Sequence, residues 1–154
     1  MNETSAIPAP DFSLPATGGQ TISLAELRGS KVVLYFYPKD NTPGCTNESI
    51  DFRDLHDEFV AADCKVFGIS RDSLKSHERF KEKLGLPFDL ISDVDEVACS
   101  AFDVIRLKNM YGKQVRGIER STFLIDTEGN IVQAWRSVKV PGHAQAVLAL
   151  VQSM

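Results

Sequence analysis

Three cysteines are the side chains of this 154-residue chain best suited to covalent chemistry. Cys45, Cys64 and Cys99 form no C-x-x-C pair and have no adjacent histidine, so the usual spacing of a structural zinc site is missing. An odd number of cysteines also leaves one thiol over from any closed set of disulfides. Each thiol therefore has to be interpreted separately.

Cys45 lies where a strand pattern gives way to a helix pattern. The run 31–37 is β-branched and aromatic, which predicts a central strand covered on both faces and ending at Pro38. After the loop 38–44, apolar residues recur at helical spacing through positions 52–60, which predicts an amphipathic helix. Unpaired N–H groups and the helix dipole stabilise an anion at such a junction. Cys45 is therefore a candidate nucleophile, although free cysteines often serve only as small buried hydrophobes.

The residues around Cys45 fit a reactive thiol. Thr42 precedes it by three positions and can aim a hydroxyl at the same spot. The dipeptide 43–44, Pro-Gly, permits a tight backbone approach without an obstructing side chain. Glu48 and Asp51 follow, where acidic residues favour the first part of a helix.

The rest of the chain alternates strand and helix patterns. Segments 9–14 and 21–24 flank a Gly-Gly turn and predict an N-terminal hairpin. This order predicts an α/β fold, in which a mixed central sheet is flanked by helices, within a single domain spanning residues 1–154. The predicted later strands are 65–70, 88–92, 121–126 and 131–135, and the predicted later helices are 74–84, 93–102 and 142–152.

Composition excludes several classes of protein. Hydrophobic residues make up 43% of the chain and charged residues 25%, as in globular proteins with a packed core. The net charge of -4 offers no basic field for nucleic acid. No segment reaches the roughly 20 apolar residues needed to span a bilayer, and residues 1–20 lack the pattern of a signal peptide. We therefore expect no nucleic-acid or membrane partner and a cytoplasmic location.

The segment 35–48, YFYPKDNTPGCTNE, resembles the active-site segment of the peroxiredoxins, in particular the bacterioferritin comigratory protein or peroxiredoxin Q subfamily. Segments 9–12, 67–70, 86–88 with 92–93, and 120–126 are similar to further parts of that family. The resemblance implies a thioredoxin-like fold. It also implies a thiol peroxidase that reduces hydrogen peroxide and alkyl hydroperoxides with no metal, haem or flavin cofactor.

The resemblance also implies roles for four residues. Cys45 would be the peroxidatic cysteine, Thr42 would hydrogen-bond the peroxide and the thiolate, Pro38 would shield the site from water, and Arg120 would complete the pocket. General chemistry agrees, because a thiolate that splits an O–O bond becomes sulfenic acid and expels the other oxygen as water or alcohol. An arginine offers a permanently charged donor fork for the developing negative charge.

Simpler interpretations compete for three of these positions. Arg120 could instead form a surface ion pair with Glu119 or Asp126, which would contribute little. Glu48 either orients Arg120 or caps the helix. Pro38 could serve only to end its strand.

The chain departs from the subfamily where a second, resolving cysteine is expected. Many members carry it five residues after the peroxidatic cysteine, here Ile50, and others carry it in the segment 76–83, which has no thiol. Cys64 precedes an apolar strand and is expected to be packed and inert. On a helical wheel Cys99 lies about 140° from Val94, beside the acidic side, which predicts partial exposure.

We therefore expect a one-cysteine cycle in which an external thiol reduces the sulfenic acid. Glutathione, a glutaredoxin or thioredoxin are the candidate reductants, and Cys99 or Cys64 as a resolving cysteine is the alternative. A second hypothesis is a redox-sensing or client-binding protein that forms a mixed disulfide. A thioredoxin-type reductase is disfavoured because Thr42 occupies the position that would complete a C-x-x-C pair.

Two further expectations concern surfaces. The histidines, His56, His77 and His143, fall in separate predicted helices without metal-ligand spacing, so we expect them to be solvated and expect no metal site. No exposed apolar surface is evident in the sequence, so we expect a monomer, with a dimer as the alternative.

Overall fold

The computed structural model of the chain describes residues 7–154, apart from the side chain of residue 110. Ten strands and five α-helices make up this part of the chain, together with a short 3-10 turn at Leu24–Leu27. The strands are β1 Ile7–Pro8, β2 Ser13–Ala16, β3 Gln20–Ser23, β4 Lys31–Phe36, β5 Cys64–Ser70, β6 Asp89–Ser92, β7 Ile105–Met110, β8 Lys113–Ile118, β9 Ser121–Ile125 and β10 Asn130–Trp135. The helices are α1 Pro43–Asp54, α2 His56–Ala61, α3 Leu74–Leu84, α4 Val97–Ala101 and α5 His143–Gln152.

Eight strands form one mixed sheet in the order β1-β10-β9-β4-β5-β6-β2-β3. Strands β4, β5 and β6 run parallel, whereas β9 pairs antiparallel with β4. Every residue of β4 after Lys31 is buried, as its uninterrupted apolar sequence predicts. The predicted α/β fold, with a mixed sheet flanked by helices, is confirmed.

Two apolar clusters cover the two faces of the sheet. Alternate residues of β4 belong to different clusters, since successive side chains of a strand point to opposite faces. One cluster contains Cys45 and Cys64, packed with side chains of α1, α2, α3 and α5. The other contains Cys99, which lies on α4. The sheet therefore separates Cys99 from the other two thiols.

The predicted N-terminal hairpin exists, but it begins later than expected. Strands β2 and β3 pair antiparallel, as do β9 and β10. Residues 9–12 do not belong to the first hairpin strand. They connect β1, at one edge of the sheet, with β2, which lies near the opposite edge. The pairing of β1 with β10 holds the start of this connection in place.

Two predicted helices differ from the observed ones. The helix expected through residues 52–60 is interrupted at Leu55, which ends α1 and precedes α2. The helix expected over 93–102 contains only α4, because Glu96 has a left-handed φ of 60°. The Asp93 carboxylate accepts backbone hydrogen bonds from Val97 and Cys99 at 2.7 Å, so Asp93 caps the helix from outside it.

The structure contains a hairpin, β7–β8, that the sequence pattern did not predict. Its two strands form a separate sheet whose central residues are largely exposed. The turn uses left-handed φ angles at Tyr111 and Gly112, and a tyrosine is an unusual residue for such a turn. Within residues 7–154, every helix is too short or too polar to cross a membrane.

Gly68, in the middle of β5, offers a test of this packing. A Cβ there would lie 2.8 Å from both the Tyr35 ring and the Leu90 side chain. We expect Gly68→Ala to lower the free energy of unfolding by about 1–3 kcal/mol through overpacking, measured by urea denaturation. Gly117→Ala is the matched control, since the nearest atom to its Cβ would be 3.9 Å away. Equal effects of the two substitutions would contradict this account.

Candidate active site

The sheet register brings two distant parts of the sequence to one edge. Phe36, the last residue of β4, pairs with Ser121, the first residue of the antiparallel β9. The loop after β4 and the residue before β9 therefore meet. Thr42 ends this loop as the N-cap of α1, and Cys45 is the third residue of that helix. Arg120 stands directly before β9 and faces the same place.

The guanidinium of Arg120 joins Cys45 to Glu48. Its Nη2 donates to the Cys45 Sγ at 3.4 Å, and its Nη1 donates to the Glu48 Oε1 at 2.7 Å. Cys45 and Glu48 are three residues apart in α1, so both side chains lie on one helical face. Within the described part of the chain, the ion-pair partner of Arg120 is Glu48 and not the surface residues Glu119 or Asp126. Arg120 therefore lies beside the Cys45 loop, as the sequence predicts.

Gly44 permits the close approach of Arg120. A Cβ at this position would lie 3.0 Å from the Arg120 Nη2. A side chain at position 44 would therefore require the Arg120 guanidinium to shift by a few tenths of an ångström. This contact gives a structural reason for the glycine next to Cys45.

Glu48 is a buried carboxyl whose charge is only partly compensated. Its side chain is 1% exposed, and its Oε2 has no hydrogen-bond partner among the described residues. Burial raises the pKa of Glu48 to about 7, although the charge of Arg120 and its hydrogen bond oppose the shift. Glu48 is the sixth residue of α1 and contacts Arg120, so the geometry favours orientation of Arg120 over capping of the helix.

The positions of Thr42 and Pro38 support their predicted roles less directly than the position of Arg120 does. The Thr42 hydroxyl donates to the Lys39 carbonyl oxygen at 2.8 Å. Because a hydroxyl has one proton, Thr42 faces any further partner as an acceptor. The expected bond from Thr42 to the Cys45 sulfur is not among the hydrogen bonds of residues 7–154. Pro38 is half-buried beyond the end of β4, and its shielding role stays a prediction.

Cys45 itself is 0% exposed. It packs in the cluster that contains Tyr35 and Phe52, whose rings stack at 4.8 Å. Burial raises the pKa of Tyr35 well above its usual value, so this phenol stays protonated. Thr42 and Gly44, which precede Cys45, are partly exposed, as is Arg120.

The prediction that Cys99 is partly exposed is wrong. Cys99 is 0% exposed, and burial raises the pKa of its thiol well above the usual range, with Asp93 adding to the shift. The helical-wheel prediction assumed a helix that begins near Val94 with its apolar face buried. In the structure α4 begins only at Val97, and the side chains of Val94 and Val97 are exposed to solvent. Cys64 is buried as expected, and burial raises its pKa to about 12. Both thiols are protonated near neutral pH.

Neither of these thiols is placed to meet Cys45. Cys99 lies in the cluster on the opposite face of the sheet. Cys64 pairs with Lys31 at the start of β4, whereas Cys45 follows the other end of that strand. The length of β4 separates these ends by roughly 17 Å. A disulfide requires Cα atoms within about 7 Å, so either pairing needs a large rearrangement.

The expected solvation of the histidines is wrong for two of the three. His77 and His143 are buried, while His56 is half-buried. The His143 Nε2 and the Thr122 Oγ1 form a hydrogen bond at 2.8 Å. Burial, aided by the charge of Arg120, lowers the pKa of His143 to about 4, so this ring is neutral. No signal in the sequence indicated these contacts, since the partners come from distant segments.

One group of side chains has the spacing of metal ligands. Ligand atoms of Asp40, Asp72 and His77 lie within 4.8 Å of one another. The Asp40 Oδ2 already accepts hydrogen bonds from Ser76 and His77, and the Asp72 Oδ2 accepts from Ser70 and from the Asp40 backbone. These atoms are satisfied within the protein, so the cluster fits a hydrogen-bond network better than a cation.

Residues 6–134 match the AhpC/TSA family. The chain belongs to this family. It is 57% identical over 149 residues to peroxiredoxin Bcp of Xanthomonas campestris, covering 96% of this chain and 93% of the relative. It is 49% identical over 146 residues to peroxiredoxin Bcp of Bacillus subtilis, covering 95% of this chain and 93% of that protein.

A solved structure supports the same assignment. The Xanthomonas campestris bacterioferritin comigratory protein, studied for its alkyl peroxide reduction activity, superposes with a TM-score of 0.89 at 56% identity. The alignment covers 92% of this chain and 90% of that one. The expected thioredoxin-like fold and the resemblance to this subfamily are confirmed. The chain is a peroxiredoxin, a thiol-dependent peroxidase that takes a peroxide substrate and a thiol reductant.

Arg120 provides the first test of the site. We expect Arg120→Met to slow the reaction with hydrogen peroxide about 10²- to 10³-fold, because the sulfur loses its charged donor. Arg120→Lys keeps a positive charge but loses the two-pronged geometry, so its rate should lie between those of Arg120→Met and the unmodified protein. Stopped-flow oxidation measures both. Arg53→Met, which removes an exposed ion pair at the far end of α1, is the control and should leave the rate unchanged.

Glu48 provides a pH test. Its folded-state pKa of about 7 exceeds the usual 4.5, so the folded chain binds more protons than the unfolded chain between these values. The free energy of unfolding should therefore fall by up to about 3 kcal/mol as pH rises from 4.5 to 7. Glu48→Gln should lack this component, as judged by urea denaturation across that range. The assignment would be contradicted if the free energy of unfolding changed with pH by the same amount in Glu48→Gln as in the unmodified protein. The control is Glu58→Gln, at an exposed position, which should keep the pH dependence of the unmodified protein.

Proposed function

We propose that Cys45 is the peroxidatic cysteine and that the protein reduces hydrogen peroxide and alkyl hydroperoxides. The Cys45 thiolate attacks one peroxide oxygen, an S–O bond forms, and the O–O bond breaks. The sulfur becomes sulfenic acid, and the other oxygen leaves with the electron pair and takes a proton to give water or alcohol. The observation that carries the proposal is the Arg120 guanidinium 3.4 Å from the Cys45 sulfur.

The remaining site residues take supporting roles in this proposal. Arg120 stabilises the thiolate and the negative charge that develops on the leaving oxygen. Thr42 accepts a hydrogen bond from the peroxide, since its own proton is donated to Lys39. Glu48 orients Arg120 through the 2.7 Å hydrogen bond. Pro38 limits access of water from its side.

The proposed cycle uses one cysteine. The separation of Cys45 from Cys64 and Cys99 supports reduction of the sulfenic acid by an external thiol. This thiol condenses with the sulfenic acid to a mixed disulfide and water, and a second thiol then releases Cys45. Thioredoxin, a glutaredoxin and glutathione are the proposed reductants. The alkyl peroxide activity studied in the Xanthomonas campestris relative supports alkyl hydroperoxides as substrates. A reducing compartment such as the cytoplasm suits three unpaired thiols.

Intact mass spectrometry tests the cycle. One equivalent of peroxide in the presence of dimedone should give a single adduct at Cys45, and this adduct should form equally in Cys64→Ser and Cys99→Ser. A loss of two hydrogens mapped to Cys45 and either other cysteine would overturn the one-cysteine cycle. Dithiothreitol-dependent peroxide turnover should be lost in Cys45→Ser alone, and its persistence there would refute the proposed function.

A further inference from the structure

A buried polar cluster surrounds Asp40, in the loop that leads from β4 to Cys45. The Asp40 carboxylate accepts hydrogen bonds from the Tyr37 hydroxyl at 2.7 Å, from Ser76 Oγ at 2.7 Å and from the His77 Nδ1 at 2.8 Å. Asp40 is 5% exposed and His77 is 0% exposed. Among the described residues, none of these side chains hydrogen-bonds to the Cys45 sulfur, and none takes part in the proposed chemistry. Their position beside the active-site loop therefore needs another explanation.

The hydrogen bonds of His77 indicate that it carries both ring protons. Its Nε2 lies 3.0 Å from the Ile91 carbonyl oxygen, which can only accept, so this nitrogen donates. Its Nδ1 faces the Asp40 carboxylate. Burial alone would raise the pKa of Asp40, but hydrogen bonds from His77, Tyr37 and Ser76 lower it below its usual value, so the carboxylate is ionised. Asp40 and His77 therefore form a buried ion pair with satisfied hydrogen bonds.

The pair connects the active-site loop to two other elements. His77 lies in the second turn of α3, and the Asp40 backbone N–H donates to the Asp72 Oδ2 at 2.9 Å, just beyond the end of β5. The next residue, Asn41, has a left-handed φ of 65°. Asparagine adopts this conformation more readily than most residues, so Asn41 suits the turn between Asp40 and the start of α1. Thr42 follows Asn41 and begins α1, so the anchoring of Asp40 determines where the first turn of α1 lies.

We propose that the Asp40–His77 ion pair is a positioning element that holds Thr42 and Cys45 in register with Arg120. This inference rests on the proposed function, because it takes Cys45 as the reacting thiol. Neither member of the pair touches the peroxide. When the pair is lost, the Asp40 loop loses its anchor on α3 and the first turn of α1 can shift relative to Arg120. A displacement of about 1 Å at a reacting group can slow a reaction about 10²-fold.

The test compares two reactions of the same thiol in a Cys64→Ser/Cys99→Ser background. Both oxidation by hydrogen peroxide and alkylation by iodoacetamide use the thiolate, but only oxidation also needs Thr42 and Arg120 to hold the peroxide and its leaving oxygen. We expect His77→Gln to slow oxidation by about 10- to 100-fold with a much smaller change in alkylation. A purely structural role would lower the melting temperature but leave the oxidation rate per folded molecule unchanged. Such a result would overturn the proposal.

A double-mutant cycle tests whether Asp40 and His77 act together or independently. If Asp40 and His77 act as a unit, Asp40→Asn/His77→Gln should be no slower than the slower single variant. Rate effects that multiply would overturn the proposal. His56→Gln is the matched control, because this histidine packs against the Phe88 ring at the other end of the helical layer and should keep the full oxidation rate.

Ser76→Ala keeps the proposal falsifiable if His77→Gln does not fold. It removes one donor to the same Asp40 oxygen from a partly exposed position and leaves the ion pair in place. We expect a smaller slowing of oxidation, again without a matching change in alkylation, and an unchanged oxidation rate would overturn the proposal. The dimedone adduct at Cys45 in the unmodified protein is measured separately from these rates. Its absence would refute the proposed function and not the positioning role alone.

Discussion

The contact between one guanidinium and two acidic side chains is the interaction on which the site depends. Arg120 donates to the Cys45 sulfur and to the Glu48 carboxylate, which share one face of α1. When both partners are ionised, two anions share one cation in a largely buried place. Burial disfavours the charged form of Glu48, which accounts for the raised pKa of this carboxyl despite the opposing charge of Arg120. One guanidinium thus contacts both the buried carboxyl and the sulfur.

The fold makes Cys45 chemically different from the other thiols. All three cysteines are buried, but only Cys45 contacts a cation at the N-terminus of a helix. Cys64 and Cys99 lie in mainly apolar surroundings, where burial raises the pKa of each thiol and favours the protonated form. In the proposed function, the reactivity of Cys45 therefore follows from its position in the fold and not from exposure. The antiparallel pairing of β9 with β4 is decisive, because it places Arg120 beside the loop that ends at Thr42.

The sequence was sufficient for features that depend on local pattern. The apolar run of β4, the strand-to-helix junction at Cys45 and the alternation of strands and helices are all written in neighbouring residues. Burial of Cys99 was not predictable, because Asp93 and a left-handed Glu96 delay the start of α4 and shift its periodicity. The contacts of Asp40 with His77 were also hidden, since 37 residues separate them and only the packing of α3 brings them together.

Burial of Cys45 also determines which step of the proposed cycle requires motion. A peroxide is small, but a mixed disulfide places a second sulfur about 2 Å from Sγ, in a place where Cys45 is now 0% exposed. Oxidation to sulfenic acid replaces the anionic sulfur with a group that is neutral when protonated, so its attraction to Arg120 weakens while the Glu48–Arg120 contact remains. In the proposed cycle the contact between Arg120 and the sulfur is thus weaker after oxidation, when a reductant must reach Cys45. Cys45 lies in the first turn of α1 and contacts Arg120, so the proposed cycle requires one of these two elements to move when the mixed disulfide forms.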